Sequence, residues 1–230
     1  MKKYSCLLFD ADDTILDFHA AQQFALTKTL NEADIPATPE NLAIYDEINK
    51  SLWRELEKGN IRRETIALRR FELFFEACGI QKDVSKIAFA YTEHLKKCYH
   101  IVAFADDVLD YFFKKEVPMY VITNGTKDIQ ISRLYGSGLS RFFYRCFISE
   151  EVGAAKPQKA FFDYVTSHIP DFVREEALVI GDSLSSDILG GYNAGIDTCY
   201  INRKQKPLDG TVTPTYVIDS ILQLPKIIEV

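Results

Sequence analysis

Cysteine is scarce and scattered. The five residues (Cys6, Cys78, Cys98, Cys146 and Cys199) are odd in number, far apart and set mostly among apolar neighbours, which suits reduced core thiols and argues against a disulfide framework. There is no CxxC pair, and the four histidines (His19, His94, His100 and His168) have no metal-ligand spacing, so a structural zinc site is not expected. No apolar run approaches the roughly 20 residues of a membrane span. The start, Met1-Lys2-Lys3-Tyr4, runs into a strand pattern rather than a secretory leader, so the expectation is a cytoplasmic protein with no membrane partner. Basic charge is also in short supply. With 27 Lys and Arg against 33 Asp and Glu the formal net charge is -6, which argues against a nucleic-acid polymer as partner, because that needs a basic footprint. A small anionic ligand is compatible with this balance, provided local lysine or metal charge offsets the overall field.

What is present is enough apolar material, 47 % of 230 residues, for a sizeable core in one domain with an insertion or in two small domains. The first strong signal is Leu7-Leu8-Phe9, a short apolar run that stops at Asp10-Ala11-Asp12-Asp13-Thr14. Such a run reads as a buried parallel strand delivering carboxylates to a sheet edge. Three acids so close repel one another unless a cation sits among them. The stretch is therefore the first candidate for a metal site, and a strand followed by a solvated acidic turn is the competing reading.

From Phe18 to about His100 strand signals vanish and apolar residues recur at helical spacing. Leu42, Tyr45, Ile48, Leu52 and Leu56 form one stripe, Ala67, Phe71, Phe74 and Cys78 a second, and Ile87, Tyr91, Leu95 and Cys98 a third. Thr38 or Asn41 is a candidate helix cap, Gly79 a helix terminator, Trp53 a core residue, and Arg62-Arg63 and Arg69-Arg70 solvated faces. After Phe104, strands and helices alternate as in a parallel sheet covered by helices. Met119 to Ile122 ends at Thr123-Asn124-Gly125, Lys156-Pro157 opens a helix through Phe161, and Ala177 to Ile180 ends at Gly181-Asp182-Ser183, with a helix from Ser186 to Ala194 next. The expected fold is α/β: residues 1–17 and 101–230 form a Rossmann-like, doubly wound parallel sheet core, and 18–100 form an inserted all-helical domain.

In open α/β sheets ligands bind beyond the carboxyl ends of the strands. Here Asp10, Asp12, Thr123, Asn124 and Asp182 fall at those ends, and Lys156 joins them from a helix start. Carboxylates, a hydroxyl and a cation in one group suit phosphoryl transfer, which asks for alignment and for neutralised charge on the transferred oxygens. Mg²⁺ accepts few protein carboxylates and keeps its waters.

These residues resemble the motifs of the haloacid dehalogenase-like (HAD) hydrolase superfamily over essentially the whole chain. Asp10-Ala11-Asp12-Asp13-Thr14 matches DxDxT, Thr123 follows a strand as the second motif, Lys156-Pro157 is similar to the third, and Gly181-Asp182-Ser183-Leu184-Ser185-Ser186-Asp187 matches GDxxxxD. The resemblance implies a Rossmann-like core with a helical cap that closes over the site. It implies that Asp10 attacks phosphorus, that Asp12 exchanges the proton, and that Thr123 and Lys156 bind phosphoryl oxygens with help from the N–H groups of Asn124 and Gly125. Asp10, the main-chain carbonyl of Asp12 and Asp182 are the implied Mg²⁺ ligands, while Asp187 either touches a metal-bound water or braces Lys156. Asp12 favours a phosphatase over a dehalogenase, since the dehalogenases of this superfamily lack that acid. Asp13 departs from the commoner glycine and resembles the noncanonical pyrimidine 5′-nucleotidase subgroup, making a nucleoside monophosphate the preferred substrate. A sugar-phosphate phosphatase, a phosphomutase, and a non-hydrolytic phospho-acceptor module remain alternatives. Monomer and homodimer are both compatible with the sequence.

Overall fold

In a computed structural model, which describes residues 3–208 and 210–229, the first apolar run is strand β1 (Cys6–Phe9). Four helices follow it: α1 (Phe18–Glu32), α2 (Pro39–Glu57), α3 (Arg63–Cys78) and α4 (Val84–Lys96). Alternation then resumes with α5 (Ala105–Lys114), β2 (Met119–Thr123), α6 (Lys127–Gly136), β3 (Arg145–Ile148), the single turn α7 (Ser149–Val152) and α8 (Lys159–Ser167). The chain continues through β4 (Ala177–Gly181), α9 (Leu189–Asn193), β5 (Asp197–Ile201), β6 (Tyr216–Ile218) and α10 (Leu224–Ile227). The six strands are all parallel, in the order β3-β2-β1-β4-β5-β6.

That order fixes where a ligand can bind. The chain moves outward from β1 to β2 to β3, then returns to the other side of β1, so strand order reverses between β1 and β4 and a crevice opens beyond their carboxyl ends. A parallel sheet covered on both faces needs continuous apolar strands, and every residue of β1, β2 and β4 is buried. Alternate residues pack to opposite sides: Leu7 and Phe9 with Val108, Phe112 and Leu224, and Cys6 and Leu8 with Phe161, Phe162 and Val165. Each such Leu or Phe contributes roughly 1.5–3 kcal/mol of burial before chain entropy is counted.

The chain divides into two units, one of Met1–Asp17 with His100–Val230 and one of Phe18–Tyr99. In the helical unit Thr38 caps α2, accepting from the Asn41 N–H, and Gly79 ends α3 at φ 64°, a left-handed turn that glycine adopts without steric cost. Its core is aromatic: Tyr45 packs against Phe71, Phe74 and Tyr91 with ring centroids 5.1–5.8 Å apart. Trp53 is half-buried against Leu52, Leu56 and Ile66.

Four expectations need correction. On α3 the buried stripe is Ile66, Arg70, Phe71, Phe74 and Phe75, and Ala67 is exposed. Arg70 is 4 % exposed rather than solvated, because its guanidinium carbon lies 4.5 Å from the Tyr91 ring centre and its Nη1 donates to Asn49 Oδ1 at 3.4 Å. Pro157 lies ahead of α8, whose cap is Gln158, in a turn with a cis Lys156–Pro157 peptide. The helix expected from Ser186 begins earlier, as a π-helical turn over Leu184–Ile188 capped by Ser183, before α9 continues it.

Candidate active site

β1 carries the chain to Asp10, whose N–H still donates to the Ile180 carbonyl of β4 at 2.8 Å, so the residue is pinned at the point where strand order reverses. Its side chain is held from two sides. Lys156 Nζ donates to Oδ1 at 2.7 Å and Thr14 Oγ1 to Oδ2 at 3.0 Å, both from buried positions. Thr14 reaches back because Ala11 O accepts from both Ile15 and Leu16, folding residues 11–16 into a tight turn. Within that turn Asp13 adopts φ 58°, which explains why glycine is the commoner residue there; Asp is among the few others that tolerate it. Arg203 Nη2 donates to the Asp13 carbonyl, with the two side chains 3.7 Å apart.

Lys156 is 1 % exposed and its ammonium has three acceptors for three protons: Asp10, Asp187 Oδ1 at 2.7 Å and the Ile122 carbonyl at 2.8 Å. Asn124 fixes its backbone, donating to the Lys156 carbonyl and accepting from the Lys156 N–H, both at 2.9 Å. The Thr123 hydroxyl oxygen accepts from the Gly125 N–H at 3.0 Å. Asp187 braces Lys156 and accepts from the Ser183 N–H at 3.1 Å. Its carboxylate lies against Gly181, where a Cβ would come 2.2 Å from Asp187 Oδ2. Gly181→Ala is therefore expected to push Asp187 off Lys156 and to cost about 1–3 kcal/mol of stability, as overpacking does. Thermal unfolding checks this through a midpoint lowered by roughly 2–12 °C.

Burial, together with the Asp187 charge, pushes the Asp10 carboxyl up to about 7 against the pull of Lys156. Asp182 is held well above the carboxylate range by burial and by Asp10, Asp187 and Asp13, with Arg203 offsetting part of this. Burial alone would lower the Lys156 ammonium, but Asp10 and Asp187 outweigh it and raise it. Oxygens of Asp10, Asp182 and Asp187 all lie within 4.8 Å of one another. Three crowded acids around one lysine leave excess negative charge, and an all-oxygen donor set suits a hard divalent cation.

The Asp12 carboxylate is not in that group. It faces α6, where Gln130 Nε2 donates to one oxygen and Arg133 Nη1 to the other, so any metal contact from Asp12 falls to its main chain. Sequence reasoning missed the contacts of Thr14, Gln130, Arg133 and Arg203. The available signal was a polar pair, Gln130 and Arg133, on the same buried face of α6 as Ile129 and Leu134.

A family described as haloacid dehalogenase-like hydrolase matches residues 7–201. The Bacillus subtilis HAD-hydrolase YfnB is 39 % identical over 230 residues, covering 100 % of this chain and 97 % of its own. A crystal structure of YfnB bound to magnesium, which reveals interdomain movement, superposes with a TM-score of 0.91 over 97 % of each chain at 39 % identity. Pyrimidine 5′-nucleotidase PynA of Streptococcus pneumoniae is 38 % identical over 221 residues, 96 % of this chain and 93 % of its own. Pyrimidine 5′-nucleotidase YjjG of Escherichia coli is 30 % identical over 226 residues, 98 % of each. No helix among the described residues is long and apolar enough to cross a membrane.

Proposed function

The chain belongs to the haloacid dehalogenase-like hydrolase family, and from that premise we propose that it is a Mg²⁺-dependent phosphatase of small phosphomonoesters, with pyrimidine nucleoside 5′-monophosphates as its substrates. The observation that carries this reading is the Asp10 carboxylate, held by Thr14 and Lys156 at the strand-order reversal. Support for the nucleotide comes from the near-full-length similarity to PynA and YjjG, both named pyrimidine 5′-nucleotidases.

In the first step a carboxylate oxygen of Asp10 bonds to phosphorus while the bond from phosphorus to the nucleoside oxygen breaks, and Asp12 gives that oxygen a proton. In the second, Asp12 takes a proton from water, whose oxygen bonds to phosphorus and releases phosphate from Asp10. Splitting one displacement into two is what a carboxylate nucleophile offers. The Thr123 hydroxyl donates to a phosphoryl oxygen, and Asn124 keeps Lys156 aimed at Asp10. The carboxylates of Asp10 and Asp182 and the main-chain carbonyl of Asp12 would hold Mg²⁺, with Asp187 beside them, and the ion would supply positive charge against the phosphoryl oxygens. Phe18–Tyr99 is a separate unit built on four helices.

A panel of nucleoside monophosphates and sugar phosphates tests this. Phosphate release is expected to be fastest from the pyrimidine 5′-nucleotides. Preference for sugar phosphates would overturn the nucleotide assignment, and isomer interconversion without phosphate release would identify a mutase.

The metal site has its own expected pH signature. With Asp10 near 7 in the folded protein against about 3.9 unfolded, the native state binds more protons than the unfolded one between those values, so stability falls as pH rises through that window. Asp182 acts in the same direction. In EDTA the melting temperature is therefore expected to drop from pH 5 to pH 7.5, and the increment from added Mg²⁺ to grow over the same range as the cation displaces those protons. Scanning fluorimetry at stepped pH reads both; a Mg²⁺ increment that ignores pH would mean the acids are already ionised.

A further inference from the structure

We infer that Gln130 and Arg133 are positioning residues for Asp12: together they clamp its carboxylate, one oxygen each, and so fix the direction in which it exchanges a proton. The inference rests on the acid–base role proposed for Asp12. Both side chains come from α6, one turn apart, and both are buried, Gln130 at 1 % and Arg133 at 0 % exposure. Gln130 Nε2 donates to Asp12 Oδ2 and Arg133 Nη1 to Asp12 Oδ1. Two donors on two oxygens fix both the position and the plane of a carboxylate, which a single contact leaves free to rotate. The Asp12 side chain keeps 28 % exposure, so the clamp closes from the protein side and leaves the carboxylate open on the other.

The path of Gln130 is kept clear. A Cβ at Gly125 would come 2.0 Å from Gln130 Nε2, so the loop after β2 carries no side chain where the amide passes. This ties the Thr123-Asn124-Gly125 turn to Asp12 as well as to Lys156. Gln130 Oε1 is itself buried with no hydrogen-bond partner.

The test uses the full chain with Mg²⁺ and two leaving groups. A nucleoside 5′-monophosphate departs as an alkoxide that needs a proton, while p-nitrophenyl phosphate departs as a stabilised phenolate that does not. Gln130→Leu and Arg133→Met are expected to lower kcat on the nucleotide about 10- to 100-fold, the scale of a misplaced catalytic group, with KM little changed. Single-turnover release of nitrophenolate is expected to fall far less, and Arg133→Lys to recover part of the nucleotide rate. In an Asp12→Asn background neither substitution is expected to reduce the rate further, since both act through the missing carboxylate. Equal losses on the two leaving groups, or full additivity with Asp12→Asn, would overturn the clamp. If Arg133→Met does not fold, Gln130→Leu, which buries no unpaired charge, carries the same comparison. A parent enzyme that releases phosphate but is indifferent to Asp12→Asn would remove the acid–base role and the clamp's purpose with it; a parent with no phosphatase activity would overturn the functional reading itself.

Discussion

Asp10→Asn is expected to lose turnover by ~10⁴-fold or more, as enzymes stripped of their nucleophile do, while keeping its fold. An amide is nearly the same shape and still offers an oxygen to Thr14 Oγ1, but it is too weak a nucleophile to attack phosphorus. The stability outcome follows from the electrostatics. Burial and Asp187 hold the Asp10 carboxyl near 7, so at pH 8 it is ionised at a cost that the unfolded chain does not bear, and removing the charge relieves that cost. Against this, Lys156 loses one of three acceptors but retains Asp187 and the Ile122 carbonyl. The two effects oppose each other, and the melting temperature at pH 8 is expected to change by no more than a few degrees. Phosphate release and a circular-dichroism melt check the pair of outcomes. A variant within tenfold of the parent rate would assign the nucleophile to another group.

The strands that carry Asp10, Thr123 and Asp182 were legible because a parallel sheet covered on both faces needs uninterrupted apolar runs, and each of those runs ends in polar residues. Lys156 was legible as a cation near a helix start, whereas Asp187 was legible only through the resemblance of Gly181-Asp182-Ser183-Leu184-Ser185-Ser186-Asp187 to GDxxxxD. How these groups divide their hydrogen bonds was not. Asp12 meets Gln130 and Arg133 across 118 and 121 positions, and no local period encodes a contact over that distance. Arg70 escaped because a binary pattern scores arginine as solvent-facing, whereas a flat guanidinium over Tyr91 fills a core site as an aromatic ring does. The shift of the α3 stripe from Ala67 to Ile66 is the same error, since admitting Arg70 to the buried face rotates that face by one residue. Asp13 was legible as unusual but not as strained; its positive φ and its link to Arg203 depend on a turn closed by Thr14, Ile15 and Leu16.

Lys156→Met is expected to be the most destabilising single change in the site. Methionine replaces the length of the lysine stem but none of its three donations, leaving the carboxylates of Asp10 and Asp187 buried beside each other with no cation between them. Breaking a buried pair in this way costs about 3–5 kcal/mol, or roughly 6–20 °C in melting temperature for a chain of this size. The loss should depend on pH with a definite sign. Without Lys156, whose charge pulls against the upward shift of Asp10, the Asp10 carboxyl holds its proton more tightly still, so the variant is expected to lie closest to the parent near pH 5 and furthest from it at pH 8. Asp10→Asn should relieve part of the damage, because it removes one of the two stranded charges; the double variant is then more stable than the sum of the single losses. A loss that ignores pH and is not relieved by Asp10→Asn would mean that Lys156 stabilises the fold through the packing of its stem, and the charge balance drawn for this site would have to be rebuilt around Asp182 and Arg203.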